Sequence, residues 1–223
     1  MKPTHVIVYS HGFGVKKDDR GLFTSINASM PKVEHVMFDY NEIDDEANTL
    51  TVSPLEDQAA KLKVKMADVL ERYPRATIDM VCHSQGCVVA ALAKPDGIRK
   101  VIFLAPPSQL RMEKLIQTFS GRPGTDIHMD AVSRLGRRDG SVTIVPAQYW
   151  TSRLALNPIR LYNRFAEQTD LVVVEAARDE VLGSTSFDGL NDTIRLESLD
   201  ANHDFTDGAR KLAISFVQNE LYD

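Results

Sequence analysis

The sequence predicts an α/β fold, a three-layer α/β/α sandwich around a mostly parallel sheet of about six strands. Short runs rich in Val and Ile recur between stretches of helical periodicity, which is how strands buried on both faces and their covering helices appear in sequence. At 223 residues, 43% hydrophobic and 26% charged, the chain is long enough to bury one sizeable core. A third observation is local: Cys82-His83-Ser84-Gln85-Gly86 lies between the apolar run Thr77-Ile78-Asp79-Met80-Val81 and a helical pattern, a tight passage from strand to helix.

Taken along the chain, the first strand is expected at residues 5–9, a helix at 22–29 and a second strand at 34–38. Between Lys32 and Lys61 there is no lysine or arginine, while Glu34, Asp39, Glu42, Asp44, Asp45, Glu46, Glu56 and Asp57 are acidic; the stretch reads as a solvated loop and helix start. A strong helix is expected at 53–72. Ser53 is its candidate N-cap, Pro54 its first helical residue and Glu56 the acid of a near capping box, and Tyr73-Pro74 ends it. Ala59, Leu62, Met66, Val69 and Leu70 recur at helical spacing and should face the sheet. A strand at 77–81, a helix at 85–93 and a strand at 100–104 follow. The last elements are strands at 171–175 and 193–199 and a helix at 206–221.

Residues 106–168 break this alternation. They open on Pro106-Pro107, carry Gly121-Arg122-Pro123-Gly124 and hold one strand-like piece at 141–145. A segment of this length between two sheet strands is too long for a plain connection and reads as a cap over the core formed by 1–105 and 169–223. Nine basic residues in it (Arg111, Lys114, Arg122, Arg134, Arg137, Arg138, Arg153, Arg160, Arg164) face five acidic ones, in a chain whose net charge is -5. One reading is recognition of an anionic part of a substrate or partner; the plainer one is a solvated surface.

The bulk numbers also exclude. Net charge -5 argues against a nucleic-acid binder. No apolar run approaches the length of a membrane span, and the five apolar residues near the N-terminus are too short for a signal peptide, so a cytoplasmic location is expected. Cys82 and Cys87 flank Ser84 too closely for a disulfide that spares the turn and read as small packing residues. No cluster shows metal-ligand spacing, and no cofactor is implied.

Three residues carry the chemistry. Ser84 sits where a helix N-terminus aims free N–H groups at its hydroxyl. Asp179 follows the strand at 171–175 and His203 the strand at 193–199, so all three fall at strand carboxyl ends, where open α/β sheets form their ligand crevice. Serine is a weak nucleophile unless an imidazole accepts its proton and a carboxylate orients that imidazole. Among the acids, Glu180 is a neighbour of Asp179, Asp170 lies at the wrong end of its strand and Glu175 within it.

The order Ser, Asp, His, the elbow at Ser84 and His11-Gly12-Phe13-Gly14 after the first strand resemble the α/β-hydrolase-fold serine hydrolases over nearly the whole chain outside the cap. That resemblance implies an oxyanion hole made by the backbone N–H groups of Phe13 and Gln85. It departs from the family in having Cys82 where Gly is usual and in lacking two N-terminal strands of larger members, which suggests a compact variant. Substrate-side candidates are Gly12 and His11, the latter also as a residue that orders its loop, together with Tyr149 and Trp150, which with Tyr162 would line an acyl pocket or, more plainly, form cap core. The expected activity is cleavage of a small-molecule carboxylic ester through an acyl-enzyme. Thioesterase, amidase, peptidase or acyltransferase chemistry would use the same triad, and a non-catalytic binding protein on this fold is the reading of a different class.

Overall fold

The computed structural model describes residues 3–222. Its first half runs β1 (His5–Ser10), α1 (Leu22–Ser29), β2 (Glu34–Val36), β3 (Glu42–Asp44), β4 (Thr49–Thr51), α2 (Leu55–Arg72), β5 (Thr77–His83), α3 (Gln85–Ala93) and β6 (Lys100–Leu104). The second half runs α4 (Met112–Phe119), β7 (Ser133–Gly136), β8 (Val142–Val145), α5 (Ala147–Leu154), α6 (Pro158–Ala166), β9 (Asp170–Ala176), β10 (Arg195–Leu199) and α7 (Gly208–Tyr222).

The main sheet has six strands in the order β10-β9-β6-β5-β1-β2, and every pairing in it is parallel. Its strands carry apolar side chains on both faces because helices cover both. Val6, Val8, Met80, Val101, Phe103 and Val173 pack beneath α2, α3 and α6, whereas Ile7, Tyr9, Val81, Ile102, Leu104 and Val174 pack against α1 and α7. The chain leaves β1 for β2 on one side and later enters β5 on the other. A crevice therefore opens between the carboxyl ends of β1 and β5, the place where open α/β sheets bind ligands.

Two expectations are corrected. Residues 42–51 are not a solvated loop: β3 and β4 form an antiparallel hairpin, and β4 then pairs in parallel with β8, giving a second sheet in the order β3-β4-β8-β7. Three-residue strands leave almost no period to read, and the partner of this hairpin lies some ninety residues downstream. The start of α2 also differs. Pro54 occupies the N-cap position with no side-chain cap of its own, and the free N–H of Leu55 donates to Ser152 Oγ of α5 at 3.2 Å. Ser53 instead bonds the Tyr40 carbonyl at 3.2 Å.

Candidate active site

The turn at Ser84 is as tight as the chemistry requires. Ser84 has φ 51° and ψ -124°, a conformation that costs a residue with a Cβ and pushes its side chain clear of both β5 and α3. Gly86 is dictated by space, since a Cβ there would lie 2.0 Å from the Ser10 carbonyl oxygen and 2.7 Å from that of His11. Cys82 occupies the position where glycine is usual. It is fully buried inside β5 between Ser10 and Phe103, so a small strand residue serves there. Burial pushes the thiols of both Cys82 and Cys87 well above their ordinary pKa.

Ser84 Oγ lies 2.9 Å from His203 Nε2, and His203 Nδ1 lies 2.7 Å from Asp179 Oδ2. Asp179 is held as an acceptor by its own loop: its Oδ1 takes the N–H groups of Val181 and Leu182 at 2.9 and 2.7 Å. Nδ1 of His203 is then the donor, which leaves Nε2 to accept the serine proton. The competing acids are engaged elsewhere. Glu180 accepts the His203 backbone N–H at 3.1 Å, Asp170 pairs with Lys100 and Glu175 accepts from Thr185.

One buried pair behind the triad has no counterpart in the sequence reading. Asp19 Oδ2 accepts from His83 Nδ1 at 2.9 Å and from the Gly12 N–H at 2.7 Å, while His83 Nε2 reaches the His203 carbonyl oxygen at 2.9 Å. Both partners of the ring are acceptors, so His83 carries a proton on each nitrogen. Burial alone would lower its pKa, but the Asp19 charge and hydrogen bond, helped by the His203 carbonyl, outweigh that and raise it. Burial likewise works against Asp19 ionising, and the His83 charge with the two hydrogen bonds brings its pKa below the ordinary value. The pair ties the Gly12 loop to the backbone of His203. Its one signal in sequence was a histidine beside Ser84, which needs a counter-charge if buried.

The substrate-side candidates divide. Gly12 and Phe13 line a cavity of about 660 Å³ together with Ser84, Gln85 and His203. His11 turns away from it, taking the Tyr40 N–H at 3.1 Å on Nε2 and facing the Gly12 carbonyl at 3.0 Å with Nδ1. Burial lowers its pKa, which keeps the ring neutral. Tyr149 and Trp150 are buried and off the cavity wall. The Tyr149 hydroxyl donates to Gln85 Oε1, and the Trp150 indole N–H donates to Ser133 Oγ at 3.1 Å. Among the described residues, His83, His203 and Asp204 place possible metal-ligand atoms within 4.8 Å of one another. They fit a cation poorly, because both nitrogens of each histidine are committed to the bonds above and Asp204 pairs with Arg20.

Neither a protein-family model nor a curated protein sequence matches the chain. Solved structures do. Est1E from Butyrivibrio proteoclasticus with bound ferulic acid superposes over 99% of this chain and 89% of its own, at 16% identity and a TM-score of 0.71. The esterase domain of a Rhodothermus marinus protein does so over 99% and 87%, at 14% identity and a TM-score of 0.67. An alpha-beta serine hydrolase homologue from Coxiella burnetii covers 99% of this chain and 86% of its own, at 12% identity and a TM-score of 0.62. Identities this low speak for backbone architecture alone, and the architecture agrees with the parallel sheet and strand order found above: the chain has the α/β-hydrolase fold.

Proposed function

We propose that the protein is a serine hydrolase that cleaves a carboxylic ester of modest size. The observation that carries this reading is the unbroken relay from Ser84 Oγ through His203 to Asp179, with Ser84 and His203 on the wall of the cavity. In the forward step His203 Nε2 takes the Ser84 proton as Oγ bonds to the ester carbonyl carbon, and Asp179 holds the imidazolium that forms. The carbonyl oxygen gains the negative charge. The donors proposed to meet it are the N–H of Gln85, which as the first residue of α3 has no acceptor one turn back, and that of Phe13. The N–H of Gly12, one residue earlier, is already given to Asp19. The imidazolium then protonates the leaving alcohol as its bond to carbon breaks, and a water molecule activated by the same ring releases the acid and restores Ser84.

The Rhodothermus marinus neighbour is called an esterase domain, which makes esters the first substrates to test; thioesters, amides and acyl acceptors would pass through the same tetrahedral intermediate. A fluorophosphonate probe should label the wild type at Ser84. Labelling should vanish in Ser84→Ala and fall sharply in His203→Ala, and turnover of p-nitrophenyl esters should fall by roughly 10⁴-fold or more in Ser84→Ala. A folded wild type that takes no label would overturn the proposal in favour of a binding role.

A further inference from the structure

The cavity wall contributed by residues 106–168 contains two sheltered guanidinium groups that form no ion pair with a carboxylate among the described residues. The arginines in ion pairs among the described residues are Arg20, Arg99, Arg178 and Arg195. Arg137 and Arg153 are not among them, and both line the cavity above Ser84. Arg153 is only 7% exposed. Its Nη1 donates to the Tyr149 hydroxyl and to Gln85 Oε1, and its buried Nε–H has no acceptor. Arg137 donates from Nε to Thr143 Oγ1 at 2.7 Å, reaches the Phe13 carbonyl at 3.4 Å and lies over the rings of Phe119 and Phe13 at 4.9 and 5.4 Å. Gly14, with φ +59°, leaves the space it needs, because a Cβ there would meet Arg137 Nη2 at 1.8 Å.

Asp139 is close enough for its charge to act on Arg137, but its Oδ1 is turned to the N–H and hydroxyl of Ser141 and makes no ion pair; Asp44 caps the N–H of Ala47 and Asp45 pairs with Lys16. Arg122 lies on the same wall, 4.4 Å above the Phe119 ring, with Arg138 beside it. Burial, with Arg20 and Arg122 close by, outweighs the opposing charge of Asp139 and lowers Arg137 to about 10, which still leaves it charged at neutral pH. A sheltered cation with no carboxylate in contact is costly, and an incoming anion relieves the cost.

We propose that this wall selects esters carrying a second, ionised oxyanion group, a carboxylate or a phosphate, which Arg137 and Arg153 hold while Ser84 attacks the ester carbonyl. The proposal names the substrate class of the serine-hydrolase reading and rests on it. Planar guanidinium groups suit either anion, since both present paired oxygens to a donor fork. Leu110, Leu115 and Leu182 give the lining an apolar portion that suits the carbon skeleton between the ester and the charge.

Titration calorimetry on the Ser84→Ala protein tests binding apart from turnover, using glutarate, phenyl phosphate and neutral glutaramide. Binding of an anion and not of glutaramide supports the proposal, and whichever anion binds more tightly identifies the group. Arg137→Gln should weaken that binding by about tenfold or more. Arg122→Gln should weaken it less and serves if the Arg137 variant does not fold. Arg160→Gln, an exposed arginine off the cavity wall, should leave it unchanged. In the wild type, kcat/KM for the p-nitrophenyl half-ester of glutaric acid should exceed that for p-nitrophenyl butyrate by about tenfold. If neither anion binds and the neutral ester is the better substrate, the anion site is wrong, while fluorophosphonate labelling of Ser84 keeps the hydrolase reading. Anion binding by a protein that takes no label has the opposite meaning: the site stands and the hydrolysis falls.

Discussion

At the scale of single residues, the least expected feature is the charge pair behind Ser84, His203 and Asp179. His83 is an imidazolium whose two N–H groups hold Asp19 and the His203 carbonyl, so the base of the proposed mechanism is braced from its backbone side by a buried cation. Its pKa is raised on folding, so its stabilising contribution is complete below the unfolded imidazole value, about 6.5, and is lost as pH climbs through the raised folded value. Asp19 is lowered, so its contribution is complete above about 3.9 and is lost as pH falls through the lowered value. The pair therefore stabilises most between about pH 4 and 6.5. His83→Asn keeps a donor toward Asp19 but removes the charge, and should cost about 2 kcal/mol or more in urea unfolding at pH 6. The difference from wild type should narrow at pH 9. His11, whose lowered pKa acts in the opposite sense, is present in both proteins and drops out of the comparison. A cost that does not change with pH would mean that His83 is neutral and acts by packing.

At the scale of elements, what was legible depended on how far away each element's partner lies. The six main strands and the helices α1, α2, α3 and α7 announce themselves by their own period, and each lies within two residues of where that period puts it. Ser84, Asp179 and His203, which the structure brings within hydrogen-bond distance, were legible as well, because each follows a strand end. The hairpin β3-β4 and the cap of α2 are not local properties. The hairpin needs β8, and the first N–H of α2 needs Ser152 from α5, a residue nothing near Pro54 points to. Helix α6 carries local signals of its own: Asn157 Oδ1 caps the Arg160 N–H at 3.0 Å, and Pro158 opens the helix. Asp19, in a loop with no period, left no trace. The distant cap gives an expected outcome. Ser152→Ala should lower stability by about 1 kcal/mol, read as a shift in the urea midpoint without a change in slope. Ser53→Ala should cost less, because its hydroxyl makes a single 3.2 Å bond to Tyr40. The reverse order would restore the local capping box.

At the scale of the whole molecule, two electrostatic effects of opposite sign act on an anionic substrate. The chain as a whole carries -5, which repels it, while the cavity wall carries more arginine and lysine than aspartate and glutamate and attracts it. Distance decides between them. Two unit charges 20 Å apart in water interact by about 0.2 kcal/mol, and salt reduces that further over a Debye length of about 8 Å at physiological ionic strength. A guanidinium about 4 Å away, at the effective dielectric of a sheltered site, contributes about 4 kcal/mol before desolvation is subtracted. The near field should therefore govern capture, and salt should weaken it. Raising ionic strength from about 0.02 to about 0.3 M should lower kcat/KM for the anionic half-ester several-fold and leave the neutral butyrate ester nearly unchanged. If the global charge governed instead, salt would screen a repulsion and kcat/KM for the anionic ester would rise. The sign of that slope tells whether the cluster of arginines facing Ser84 steers substrate or is only a solvated surface in an acidic protein.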